Sequence, residues 1–172
     1  EEAVALAKKS DVVVLAVGED AFQTGEGRSQ SEIQLPGLQR ALIEAISAVN
    51  ANIILVTQSG RPLDLSWENE HVKSIVHAWH LGTESGNAIT KVLTGEFNPS
   101  GKLPMSFPRT VGQLPIYYNK YKTGRPTYPG NDIVFWSHFT DVEEGPLFPF
   151  GFGLNYSNIK IENVKLSKIK IK

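Results

Sequence analysis

The sequence predicts an α/β domain: a mostly parallel open sheet sandwiched between helices, with a long proline- and aromatic-rich loop excursion. Three observations predict it. The β-branched runs "VVVLAV" and "NIILVTQSG" read as strands covered on both faces. Helical patterns stand between and after the strands, an alternation that favours parallel pairing. Eight of the ten prolines fall in residues 96–153, where periodicity is lost and aromatics gather, so that stretch reads as ordered loop wrapping the sheet.

Taken in order, residues 1–9 predict a short helix with Val4, Leu6 and Ala7 inward. Val12–Val17 predicts the first strand, and a long polar loop runs from Gly18 to Leu35. Pro36 opens a helix whose apolar stripe is Leu38, Leu42, Ala45, Ile46 and Val49. "NIILVTQSG" predicts a second strand closed by Gly60, and "KSIVHAWH" (Lys73–His80) a third. "TESGNAITKVLTG" predicts a helix with Thr83 at the N-cap, Glu84 in the first turn and Gly95 as the stop. "GKLPMSF" predicts a short strand, and the phenylalanines of "FPFGFGL" read as filling the core beside the sheet.

Composition narrows the function classes. A chain of 172 residues with 41% hydrophobic content can bury one real core. A net charge of −1 offers no phosphate-tracking surface, so nucleic acid is not expected as a partner. No apolar run reaches membrane-spanning length, and no membrane association is expected. The lack of cysteine excludes disulfides, zinc–thiolate sites and cysteine nucleophiles. The opening "EEAVALAKKS" is already helical, and the closing "IKIENVKLSKIKIK" alternates like a strand that needs a partner. Both ends read as cuts, and the chain is expected to be a piece of a longer protein.

The stretch "QTGEGRSQS" (Gln23–Ser31) carries the sharpest question. Ligands of open parallel sheets gather at the carboxyl ends of the strands, and this loop leaves from such an end. Glu26 stands between two glycines, which admit backbone angles barred to other residues and let another surface come close. Phosphate binding fails on spacing: "GEGRSQ" has Gln30 where the third glycine of a dinucleotide fingerprint belongs, and no P-loop motif exists. That leaves a solvated surface loop, or a carboxylate offered to a second surface. Glu19 and Asp20 lie nearer the sheet; Glu19 is the alternative carboxylate, in a place where such a group often binds backbone amides instead. Glu32 reads as capping the turn into the helix, and Glu84 as a first-turn charge favourable to the helix dipole. His77 and His80 are three apart on a predicted strand and so face opposite sides, while His71 and His138 have no partners at ligand spacing. No metal site and no cofactor are expected.

Several segments occur together in one order: "VGEDAFQTGEGRSQSEIQLPGLQRALI", "TQSGRPLDLS", "AWHLGTESGNAITKVLTGEFNPSGKLPMSFPRTVGQLPIYYN", "KTGRP" and "PLFPFGFGLNYS". That series closely resembles the C-terminal α/β domain of family 3 glycoside hydrolases. Its "GQLPIYYN…TGRP" and "PLFPFGFGL" segments look most like the periplasmic β-glucosidase branch. The resemblance covers residues 1–157, leaving 158–172 as a linker or the first strand of a truncated fibronectin-III-like domain. It implies a retaining exo-acting β-glucosidase acting on a β-linked oligosaccharide or glucoside, periplasmic or secreted. An N-terminal (β/α)-barrel would supply the aspartate nucleophile, and the domain resembled here the general acid/base glutamate. Carried over by motif, that glutamate is Glu26, with Arg28 close to the arginine that usually follows. Arg28 would either pair with a carboxylate to fix the loop or contact substrate.

The chemistry suits such a loop. Retention of configuration needs two carboxyl groups about 5–5.5 Å apart. One attacks the anomeric carbon; the other protonates the leaving oxygen and then deprotonates water, so burial or a second carboxylate must hold it partly protonated. In "YYNKYKTGRPTYPGNDIVFWSHFTD", the faces of residues such as Trp136 can stack on sugar rings, and Arg125, Asn131 and Asp132 can bond hydroxyls; alternatively the segment simply packs on the sheet. "NDIVFWSHFTD" departs from the family's aromatic-Tyr-Phe-Asp pattern, and His80 stands where the family usually has proline. The second reading of the whole chain is a non-catalytic carbohydrate-binding or scaffolding module, with the aromatics of residues 117–139 carrying the binding.

Overall fold

Strand β2 (Ile53–Gln58) is the centre of the molecule, with Ile53, Leu55, Val56 and Thr57 all buried. The computed structural model describes residues 1–121, 124–126, 135–168 and 170. β1 (Val13–Gly18) and β3 (Ser74–His77) flank β2, both parallel to it. The register sets Val13 opposite Ile53 and Gly18 opposite Gln58, so β1 and β2 end level with one another. Helices α1 (Glu2–Ala7), α2 (Gln39–Ser47), α3 (Ser66–His71) and α4 (Ser85–Leu93) complete the predicted α/β class.

On one side of the sheet, Val13, Leu15, Val17, Leu55 and Ile75 pack with Leu35, Ile43, Ile46, Leu63, Leu65 and Phe107. The outward-alternating side chains do not: Val12, just before β1, and Val14 within it are 46% and 50% exposed. The expectation of a first strand covered on both faces therefore fails among the described residues, since Val14 on the outer face stays half-exposed.

Two further expectations are corrected by helical geometry. In α1, Val4 and Ala7 share a stripe and turn inward, but Leu6 lies off it and is 68% exposed. In α2 the buried residues are Ile43 and Ile46, whereas Leu38 is 83% exposed and Leu42 partly so. The helix is rotated because two polar residues, Gln39 and Arg40, occupy its inner side through specific bonds. Arg40 Nε and Nη2 each donate to a carboxylate oxygen of Glu68 at 3.0 Å, and the guanidinium lies over the Trp67 ring. The fully buried Glu68 sits on α3, a helix the sequence did not signal. Burial pushes its carboxyl above the ordinary value, against the pull of a backbone hydrogen bond and of Arg40. As the crossover between two parallel strands, α3 does what a helix in that place must.

At α4 a 3-10 turn (Gly82–Glu84) precedes the helix, which displaces Thr83 from the N-cap; Glu84 takes that place without a side-chain cap. Gly95 follows the end at φ +77°, the left-handed value a helix stop requires. "GKLPMSF" forms no strand: Pro104 and Pro108 remove donors, and one antiparallel bridge, Phe107 to Phe148, remains. Leu103 and Phe152 also bond through their backbones at 2.8 Å. Phe148 packs against the core, while Phe150 and Phe152 stay partly exposed.

The rotation of α2 has a measurable consequence. Ile43→Ala should lower the unfolding free energy of the 172-residue chain by about 2–5 kcal/mol in urea. Leu38→Ala should change it by less than about 0.5 kcal/mol. The opposite order would mean that the helix presents the stripe read from hydrophobicity alone.

Candidate functional site

The level ends of β1 and β2 bring two loops together. The loop after β1 begins and ends at one clasp: the Gly18 N–H donates to Gln39 Oε1 (2.7 Å) and Gln39 Nε2 donates to the Gly18 carbonyl (2.8 Å). Its returning half is pinned by buried Ile33 and Leu35, and the Ile33 carbonyl accepts the Asp64 N–H at 2.8 Å. Its outgoing half is ordered by Asp20, whose Oδ1 accepts the N–H groups of Phe22 (2.7 Å) and Gln23 (3.1 Å).

Arg61, from the loop after β2, joins the two. Its Nη2 donates to the carbonyls of Gln23 (2.7 Å) and Arg28 (3.0 Å). Its Nε lies 2.8 Å from Glu19 Oε1, a close ion pair in which Nε makes no hydrogen bond among the described residues. The Glu19 side chain is only 4% exposed, and its other oxygen accepts the Gly60 N–H at 3.3 Å. Glu19 is thus fully engaged in holding the loops. Gly60 permits the contact: a β-carbon there would sit 2.1 Å from Thr24 Oγ1.

Glu26 stands on the segment so bracketed. Gly25 and Gly27 adopt φ +120° and +70°, and the Arg28 N–H closes the turn onto the Gly25 carbonyl at 3.1 Å. The Glu26 side chain is exposed and makes no hydrogen bond or ion pair among the described residues. The Arg28 guanidinium likewise has no partner among them, so among the described residues it is Arg61, not Arg28, that fixes the loop. A carboxylate held this way is free to exchange a proton with a group on an apposed surface. The sequence signal for Arg61 was present in "SGRP", immediately after the second strand, yet only the fold gives it the carbonyls it binds.

Arg125 is exposed and its carbonyl accepts the Ser137 N–H at 2.8 Å; Trp136 is half-buried, its carbonyl 2.7 Å from His138 Nδ1. Asn131 and Asp132 lie outside the described residues. Glu32 is exposed, and Glu84 accepts from Asn87 Nδ2 at 2.6 Å. His71 stacks on Trp67, with its Nδ1 2.7 Å from the Trp67 carbonyl. Among the described residues no group of three or more metal-ligating side chains forms.

Comparison with known proteins gives this geometry a family. A model of the glycosyl hydrolase family 3 C-terminal domain matches residues 1–156. The chain belongs to glycosyl hydrolase family 3. This family 3 domain is 47% identical over 167 residues to a periplasmic β-glucosidase of Salmonella typhimurium, covering 97% of this chain and 22% of that protein. It is 40% identical over 170 residues to a β-xylosidase of Formosa agariphila, covering 99% of this chain and 22% of that one. The crystal structure of a Listeria innocua β-glucosidase in complex with gluconolactone superposes with a TM-score of 0.85 at 40% identity, over 89% of this chain and 21% of that one. The family 3 domain thus spans about a fifth of the length of the relatives it matches.

His77 provides a pH probe of the sheet that carries these loops. Its Nδ1 is 2.8 Å from Thr57 Oγ1 and its ring meets Trp79 and Phe107 edge-on. Burial first, and the nearby His80 second, lower its pKa from the ordinary 6.5 to about 4. The folded domain therefore refuses a proton that the unfolded chain accepts. Its contribution to stability is complete above about pH 6.5 and is lost on acidification toward pH 4, on the order of 3 kcal/mol in all. Urea titrations at pH 7 and pH 4.5 should show this loss in the parent and a smaller one in His77→Asn. Equal losses would place the titration elsewhere.

Proposed function

We propose that this domain supplies the general acid/base carboxylate of a retaining exo-acting β-glucosidase, and that Glu26 is that group. The observation that carries the reading is the Glu26 carboxylate, without a partner among the described residues and presented between two positive-φ glycines on a loop tied down at both ends. The family gives the reaction class, and relatives named β-glucosidase and β-xylosidase support a β-glycoside substrate. The partner is an N-terminal (β/α)-barrel of the same polypeptide, which brings the nucleophilic aspartate and most of the sugar pocket. Glu26 protonates the leaving oxygen as the glycosidic bond breaks. It then takes a proton from the water that releases the sugar from the aspartate. In this reading Arg28, with Arg125, Asn131, Asp132 and Trp136, serves to bind the substrate on its leaving-group side. The domain boundary falls at residue 157, and a periplasmic or secreted location follows the Salmonella relative's name.

A second reading has an observation of its own. Tyr117, Tyr118, Tyr121 and Phe135 are 66%, 69%, 85% and 75% exposed, a set suited to stacking on sugars in a non-catalytic carbohydrate-binding module. Under that reading, the 172-residue chain alone binds glucose or oligosaccharides with measurable affinity.

In the full-length enzyme, Glu26→Gln should lower kcat for alkyl β-glucosides about 10²–10⁴-fold. Hydrolysis of dinitrophenyl glucosides, whose leaving group needs no proton, should keep its glycosylation rate, with azide rescuing turnover as the glycosyl azide of retained configuration. Equal loss on both substrates would rule out the acid role. The isolated chain should not turn over aryl β-glucosides, and turnover that an aspartate-directed inactivator abolishes would mean that the nucleophile lies within it.

A further inference from the structure

We propose that Arg61, anchored by Glu19, is a positioning residue that sets the reach of Glu26; this rests on the acid/base reading above. One guanidinium makes three attachments, each to a different part of the site. Its Nε faces the Glu19 carboxylate at the end of β1, and its Nη2 takes the carbonyls of Gln23 and Arg28. Those carbonyls bracket the segment Thr24–Gly27, which holds Glu26. The segment's own backbone is permissive, since both glycines flanking Glu26 sit at positive φ. Without an external tie the two glycines would let the carboxylate wander, and a general acid is useful only within hydrogen-bond reach of its oxygen.

The anchor is built to be rigid. Glu19 is buried, engaged on one oxygen by Arg61 and on the other by the Gly60 N–H, and its own N–H bonds the Gln58 carbonyl at 2.8 Å. The guanidinium is therefore referenced to the sheet rather than to another loop. A lysine could keep the charge at this position, but its single ammonium cannot span a carboxylate and two separated carbonyls in a fixed fork. Replacing Arg61 thus leaves the pocket's chemistry intact and reduces the fraction of molecules with Glu26 in place, a loss that appears in kcat.

The test uses the full-length enzyme and measures glycosylation rates on an alkyl and a dinitrophenyl β-glucoside for Arg61→Lys, Glu26→Gln and the double variant. The proposal expects Arg61→Lys to lose about 10–100-fold on the alkyl glucoside. That is less than the 10²–10⁴-fold available from the acid itself. It also expects little loss on the dinitrophenyl glucoside and a KM within about threefold. The decisive result is the cycle: if Arg61 acts through Glu26, the double variant is no slower on the alkyl glucoside than Glu26→Gln alone. Should Arg61→Lys fail to fold, Glu19→Gln replaces it; the amide keeps the shape and removes the charge that holds the guanidinium, and the same signature is expected. Equal loss on both substrates, or additive loss in the double variant, assigns Arg61 a purely structural role and overturns the proposal. A selective loss in Glu26→Gln with none in the Arg61 or Glu19 variant overturns the positioning role alone. No selective loss in Glu26→Gln overturns the acid reading, and this proposal with it.

Discussion

The ion pair between Glu19 and Arg61 is the point on which the described site depends. Both residues come from sequence immediately after a strand, and parallel pairing brings them together because Gly18 and Gln58 stand opposite one another. A pair this buried adds little to net stability, since desolvation offsets most of its attraction. Removing one partner is another matter: it strands a charge, at a cost of about 3–5 kcal/mol, a large part of what holds a typical domain folded. Such a pair is better understood as fixing a geometry. Here the fixed geometry is that of a long loop relative to the sheet.

The same logic recurs at the other buried pair. Arg40 and Glu68 join α2 to α3, while Gln39, one residue before Arg40, clasps the end of β1. Two consecutive polar residues thus orient the helix that receives the loop. The loop leaves β1 at Gly18 and returns to α2 at the residue that bonds Gly18, so its two stems are tied together. Apolar packing by Ile43, Ile46 and Leu35 supplies the burial, and the polar bonds choose among the rotations that burial alone would allow.

What could be read from the sequence follows the range of the forces involved. β1 and β2 were legible because runs of β-branched residues encode strands locally. The glycine-flanked presentation of Glu26 was legible because its glycines are its immediate neighbours, and the order of the flanking segments pointed to the family that comparison supports. α3 was not: "SWENEH" looks like solvated loop until Arg40, 28 residues earlier, is known to bury Glu68. The phase of α2 was misread for a related reason, since Gln39 and Arg40 look like surface residues and turn out to occupy the inner side. Arg61 has no role legible from sequence, because its partners include backbone carbonyls that no side-chain pattern reports. The outward side of β1 reads as covered in the sequence because its valines look no different from those that pack.

The central claim is that the glycine-flanked carboxylate meets its chemical counterpart across an interface between domains. The most direct measurement is a crystal structure of the intact enzyme with a glucose-like inhibitor bound in its pocket. The account predicts a Glu26 carboxyl about 5–5.5 Å from an aspartate carboxylate of the barrel, on the leaving-group side of the sugar ring. A Glu26 side chain turned to bulk water, with another acid against the glycosidic oxygen, would contradict it.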